Sequence, residues 1–296
     1  MDIDSFWEYG DPAASEARFR AALDAAEGDE RLELLTQIAR TFSLRGQFDA
    51  AHAVLDEVEQ QLGGAGLRPQ LRYLLERGRT FNSSGAPEQA RTLFVAAWEQ
   101  AQLAGATGVA GLAVDAAHMS AITYAGAPEA IEWNQWGLAL ARTVDDPKAR
   151  ALIPAMLNNS AWDLHGLGRY DEALALFEEA QAEWEARGKP PQIQIARWSV
   201  ARCLRSLGRY EEALAIQEAL AAEHAAAGTA DGYVWEEIAE NLAALGRTEE
   251  ARPYFGQAYA ELVQDAWLVE HEPDRLASLQ ARASGADPIN SRSPSP

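Results

Sequence analysis

Apolar residues recur along this chain with the period of a helix, and short polar breaks interrupt them at regular intervals. Leu35, Ile38, Ala39 and Phe42 form one such segment, and Trp198, Ala201, Cys203 and Leu204 another. After each comes the same punctuation: Gly46 to Ala51 (GQFDAA), Gly168 to Ala173 (GRYDEA), Gly208 to Ala213 (GRYEEA) and Gly246 to Ala251 (GRTEEA). Two degenerate copies, Gly85 to Ala90 (GAPEQA) and Ala125 to Ala130 (AGAPEA), complete a ladder whose final alanines step by 39, 40, 43, 40 and 38 residues. A glycine at that point ends a helix in the left-handed conformation, and the acidic residues after it suit the positive end of the next helix dipole. Val54, Leu93, Trp133, Leu176, Ile216 and Tyr254 follow three residues after the alanines. Val58, Ala97, Gly137, Ala180, Leu220 and Ala258 follow seven after, so one small and apolar stripe repeats six times.

The pattern predicts an all-α chain of helical hairpins, with units at about 32–62, 71–104, 111–144, 150–187, 194–226 and 232–263. The breaks between them carry turn formers: the glycines at 63, 64 and 66, Gly105, Asp145-Asp146-Pro147, Gly188 with Pro190-Pro191, and Gly228. Asp11 as N-cap and Pro12 as first helical residue open a helix that starts the stack, and Pro273 opens a last helix whose Leu276 and Leu279 cover the end of the sixth hairpin. The division expected is an extension over 1–10, one solenoid over 11–283, and a disordered Ser- and Pro-rich tail over 284–296.

These motifs resemble the tetratricopeptide repeat family, with the best match from Trp162 through Ala180 and a resemblance covering roughly residues 32 to 263. A spacing near forty exceeds the ~34 of the standard repeat and points to a longer-period bacterial type, while Asn134 and Gln217 stand where a large apolar residue is expected. The resemblance implies a right-handed α-α superhelical solenoid whose first helices line a concave groove. Carried over residue by residue, the groove positions lie three, six, nine and ten residues before each turn glycine, or before Ala125 in the third repeat. The groove then holds Arg40, Arg79, Asn82, Asn158, Asn159, Trp162, His165, Trp198, Arg202 and Arg205, which suits an acidic segment or a C-terminal carboxylate. A second reading of the same residues stands beside it: Arg202 and Arg205 pair with Glu236, Glu237 and Glu240 of the next helix, and the tryptophans pack between repeats. The family's two-carboxylate clamp needs groove lysines. None is present, so that clamp does not carry over.

Charge narrows the partners. With 25 basic and 45 acidic residues the net charge is −20, which opposes binding to nucleic acid or to an anionic membrane surface. No run of 18 apolar residues and no basic, apolar leader occurs, and the single cysteine fits a reducing compartment, so the expected location is the cytoplasm. Arginine outnumbers lysine 23 to two (Lys148 and Lys189), a codon-level bias of a GC-rich bacterial genome.

Motifs for chemistry are missing. The glycines at 63–66 lack the spacing and lysine of a phosphate loop, and His52, His118, His165, His224 and His271 form no i, i+4 pair, so neither a metal nor a cofactor is expected. Cys203 reads as an inert core thiol. The leading function is therefore a non-enzymatic scaffold that binds a protein or peptide segment in the groove. The alternative is a peptide-responsive sensor acting through protein contacts, since the few residues before Asp11 leave no room for the DNA-binding module of bacterial helical-repeat regulators. An all-helical enzyme comes last.

Overall fold

The computed structural model describes residues 3–285, and every regular element among them is a helix. The expected disordered tail lies, from residue 286 on, outside the described residues. Its first two residues are ordered: Ser284 closes the last helix and Gly285 caps it at a φ of 76°. The chain gathers into two compact units, residues 1–163 and 164–296.

In the first unit a 3-10 turn (Ile3–Phe6) precedes α1 (Pro12–Leu23), α2 (Gly28–Leu44), α3 (Phe48–Glu59), α4 (Leu67–Ser83), α5 (Pro87–Leu103), α6 (Ala110–Thr123), α7 (Pro128–Thr143) and α8 (Pro147–Ala151). The division falls within α9 (Ile153–Gly166). The second unit continues with α10 (Tyr170–Arg187), α11 (Pro190–Ser206), α12 (Tyr210–Ala226), α13 (Gly232–Ala244), α14 (Thr248–Leu262), α15 (Ala266–His271) and α16 (Pro273–Ser284). Helices pack in hairpins, α2 with α3, α4 with α5 and α6 with α7 in the first unit and α11 with α12 and α13 with α14 in the second, and first helices touch within each unit: α2 on α4, α4 on α6, α11 on α13. Each unit is thus a stack of helical hairpins that sets first helices side by side.

The turns show why the sequence repeats. In five of the six, the amide after the glycine reaches back to the same carbonyl: Gln47 to Phe42, Ala86 to Phe81, Arg169 to Leu164, Arg209 to Leu204 and Arg247 to Leu242, at 2.9–3.0 Å. That six-residue closure needs a left-handed residue, and Gly46, Gly85, Gly168, Gly208 and Gly246 supply it. The degenerate third turn closes differently, through Ala127 to Tyr124.

The six alanines after the turns are all 0% exposed, because a methyl is the largest group the crossing of two hairpin helices admits. Close approach recurs on the partner helix. A Cβ on Gly78 would stand 2.5 Å from the ring of Phe94, so only hydrogen fits there. In the first unit Leu34, Ile38, Leu55, Val58 and Phe19 form one core and Leu71, Leu75, Phe94 and Ala97 the next. In the second, Ile238, Leu242, Phe255 and Leu262 close over Leu276 and Leu279 of α16. Four residues after each alanine stand Leu55, Phe94, Asn134, Phe177, Gln217 and Phe255, all buried.

Candidate functional site

The row of first helices carries most of the side chains singled out from sequence, and its chemistry is one of ion pairs between neighbouring hairpins. In the first unit Glu76 of α4 is almost wholly buried and accepts from Arg40 of α2 at 3.3 Å and from Arg79 at 2.9 Å. Gln37 of α2 adds a longer contact to the same carboxylate at 3.4 Å. Arg79 then grips both oxygens of Asp115 on α6, at 2.6 and 2.5 Å. Burial works to raise the Asp115 carboxyl, but the charge and hydrogen bonds of Arg79 outweigh it and hold the group below its ordinary value. A cavity of about 290 Å³ opens beside these residues, lined also by Asp4, Trp7, Tyr9, Arg68, Arg72 and Lys148.

The second unit repeats the device with one carboxylate. Glu237 of α13, again buried, accepts from Nε and Nη2 of Arg205 at 2.7 and 2.9 Å and lies 3.3 Å from Arg202. Arg202 donates to Ser206 Oγ at 2.7 Å, and that hydroxyl meets His165 Nε2 at 2.9 Å. Burial, then the two arginines, lower the His165 pKa and keep the ring neutral. The remaining glutamates of α13 turn to the last helix, Glu236 to Arg275 and Glu240 to Arg282.

Trp198 lies on the same helix, α11, as Arg202 and Arg205. With Pro191, Ile195, Leu220, Tyr233 and Val234 it lines an apolar pocket of about 430 Å³, its ring edge-on to Tyr233 at 6.3 Å. Ile195 is largely exposed at the rim. Asn82, Asn158, Asn159 and Trp162 are half-buried on α4 and α9.

The structure therefore places Arg40 with Arg79 on one carboxylate, and His165, Arg202 and Arg205 in one network. Arg202 and Arg205 pair with Glu237, whereas Glu236 and Glu240 are engaged by α16. Sequence reasoning missed Asp4, Trp7, Arg68, Arg72 and Lys148 in the first unit, and Arg275 and Arg282 in the second. The signal for the arginines of α4 was present: Arg72 and Arg68 fall one and two turns upstream of Glu76 on the same helix, beyond the groove register, which stopped at Leu75.

Among the described residues no group of three or more His, Cys, Asp or Glu side chains is placed to hold a metal ion. Cys203 is buried, its Sγ donates to the Tyr170 carbonyl at 3.3 Å, and burial pushes its pKa up to about 11, far from a nucleophile's. No helix among the described residues is long and apolar enough to cross a membrane.

Comparison with known proteins bears on the fold. The tetratricopeptide repeat profile matches residues 152–222. The fold is a tetratricopeptide-like helical-repeat fold. A signal-transduction ATPase with numerous domains from Pyrococcus horikoshii, which has a tetratricopeptide repeat sensor, superposes with a TM-score of 0.73 at 13% identity. It covers 90% of this chain, which in turn spans 41% of that protein's length. The apo form of RapI gives 0.72 at 11% identity, covering 96% of this chain and 83% of its own. The apo quorum sensor NprR from B. thuringiensis gives 0.62 at 14%, covering 93% and 77%, and NprR in complex with its cognate peptide NprX gives 0.56 at 15%, covering 96% and 84%. No curated protein sequence matches the chain.

Proposed function

We propose that this chain is a non-enzymatic, peptide-responsive sensor that regulates another protein through direct contacts, working in a bacterial cytoplasm and built from repeats of the longer-period type. The observation that carries the reading is the arginine–carboxylate ladder between successive first helices. Every arginine of the row that the groove register picked out already has a carboxylate, so an acidic ligand does not land on bare charge. It exchanges with an inter-hairpin pair, and each exchange releases a clip that holds one hairpin to the next. Binding is thereby coupled to hairpin spacing, because a ligand shifts an equilibrium by as much as its affinities for the two arrangements differ. A rigid scaffold for an acidic segment would keep its cations free instead.

Solved structures of similar fold support the reading, since NprR is described as a quorum sensor and was solved with a peptide. The apolar pocket at Trp198 supplies what an ion-pair exchange alone lacks, a place for an apolar anchor that adds affinity without charge.

The test is an arrayed library of acidic peptides with free C-terminal carboxylates, followed by small-angle scattering of the full chain with and without the tightest binder at saturation. The expected result is saturable binding, weakened at least tenfold by Arg205→Ala, with a changed scattering curve. Binding without a change in scattering would make the protein a scaffold, and no saturable binding would remove the reading altogether.

A further inference from the structure

The cavity of the first unit is bordered by a piece of the chain's own backbone that behaves as a bound peptide would. Ile3 is buried in the core under α1 and α2, and Phe6 meets Phe19 edge-on at 5.8 Å. From that anchor the segment runs over the first helices. Trp7 Nε1 donates to Gln37 Oε1 at 3.0 Å, the guanidinium of Arg40 lies 5.6 Å from the Trp7 ring, and Tyr9 stacks on Trp7 at 5.0 Å. The Asp4 carboxylate reaches Arg72 of α4 at 3.5 Å and pairs with Lys148 of α8. One short stretch thus touches α2, α4 and α8, which belong to different hairpins.

Two parts of this segment differ in how firmly they are held. Ile3 is 2% exposed, whereas the Asp4 side chain is 40% and Tyr9 66% exposed. The cavity continues directly beside the exposed part and brings five cations to it, Arg40, Arg68, Arg72, Arg79 and Lys148. The other carboxylates at its wall have commitments of their own: Glu76 and Asp115 hold Arg40 and Arg79, and Asp146 accepts from the backbone amides of Gly111, Lys148 and Ala149. Arg72 and Lys148 are held by Asp4, the half-exposed carboxylate of the 3-10 turn, apart from the Glu33 that Arg72 shares with Arg68.

We propose that Ile3–Tyr9 is a built-in competitor for this cavity, and that the cavity takes an acidic peptide bearing an aromatic residue three positions after a carboxylate, the spacing of Asp4 and Trp7. The inference rests on the peptide-sensing reading and adds to it a second peptide site, in the first unit and independent of Arg205, with its ligand pattern and the segment that must be displaced. An incoming carboxylate replaces Asp4 on Arg72 and Lys148, its aromatic ring replaces Trp7 against Arg40 and Gln37, and the displaced segment stays tethered through Ile3. Effective concentration then works against the ligand, so weak competitors are rejected.

The probe is a fluorescein-labelled peptide with the sequence of residues 3–10 (IDSFWEYG), titrated against the full chain by anisotropy. Wild-type protein is expected to bind it weakly and Asp4→Asn at least tenfold more tightly, with Lys148→Ala in the Asp4→Asn background abolishing the gain. Equal affinity of wild type and Asp4→Asn, a gain that survives Lys148→Ala, or no binding to any of the three would overturn the proposal. Hydrogen exchange on the unmodified chain gives a reading that no variant's folding can confuse: excess unlabelled peptide should speed exchange at the Trp7 amide, which donates to the Asp4 carbonyl at 3.2 Å, and unchanged exchange there at saturation counts against displacement. Arg205→Ala should leave this competition untouched. If the competition fails while library peptides still bind in an Arg205-dependent way, the built-in competitor is wrong and the sensing reading stands; the reverse outcome separates them in the other direction.

Discussion

The two units place charge in the same register and spend it differently. In the first, Arg79 is shared between Glu76 and Asp115 and Glu76 between Arg40 and Arg79, so the two central ions each have a second partner. In the second, among the described residues, Arg202 and Arg205 converge on the one carboxylate of Glu237, with Ser206 as a further acceptor for Arg202, while α16 supplies Arg275 and Arg282 to the glutamates beside it. One network is redundant and the other hinges on a single carboxylate. The pockets differ in the same sense, charged beside Arg40 and Arg79, apolar beside Trp198. Charge on one hairpin of a stack therefore reads first as a contact to the next hairpin, and ligand chemistry is what remains after those contacts are made.

What the units share should break most severely. Ala90 and Ala173 are both 0% exposed at the helix crossing, so Ala90→Phe and Ala173→Phe should each cost about 3 kcal/mol or more by overpacking. Unchanged thermal melting of either variant would contradict the shared register. The next effect separates the units. Glu237→Ala strands two arginines and is expected to cost about 3 kcal/mol, the lower end for a broken buried pair because both arginines keep partial access to water. Glu76→Ala should cost clearly less, since Asp115 retains Arg79. Urea denaturation of both variants measures the ordering, and a reversed order would remove the argument from redundancy.

The hairpins were legible in the sequence because the two devices that make them are local and strict. A left-handed glycine closes a turn within six residues, and an alanine five positions on from Gly168 or its equivalents is set by a helix crossing that tolerates nothing larger. The first-helix residues were legible as positions, since the register put Arg40, Arg79, Arg202 and Arg205 on first helices. Their partners were legible only in part. The competing reading named Glu237 for Arg202 and Arg205, but Arg275 and Arg282 lie on a helix outside the repeat, and no periodicity links them to Glu236 and Glu240. Residues 3–9 were harder still. Nothing local tells an extension from a segment that returns to touch Arg72 and Lys148, which stand 68 and 144 residues beyond Asp4, because long-range contacts leave no short-range pattern.

A third contrast lies in the core. Phe177 and Phe255 fill the site four residues after the alanine in two hairpins of the second unit, but Gln217 occupies it in the hairpin between, wholly buried and with no hydrogen-bond partner for either amide atom among the described residues. Such a group costs about 1–3 kcal/mol. Gln217→Leu should stabilise the protein by roughly 1 kcal/mol at the low end of that range, because part of the gain is lost to imperfect packing of the shorter side chain. A lowered urea midpoint for Gln217→Leu would mean that the amide is satisfied in solution.

The smallest effect is one of pH, and it too differs by surroundings. His118 of α6 faces Asp115, Asn134 and Arg79; burial outweighs the carboxylate and lowers its pKa from the ordinary 6.5. His165 is lowered by burial together with Arg202 and Arg205. In both cases the unfolded chain takes up a proton near pH 6.5 that the folded protein refuses until lower pH. Stability is thus full above that value and falls as pH drops through it, levelling only once the folded ring also protonates. Urea midpoints measured from pH 8 to pH 5 should decline for wild type, and His118→Gln and His165→Gln should each remove part of the decline. If the curve keeps its wild-type slope in both variants, neither ring is held neutral by the fold, and the difference between a carboxylate-facing and an arginine-facing histidine has no consequence for stability.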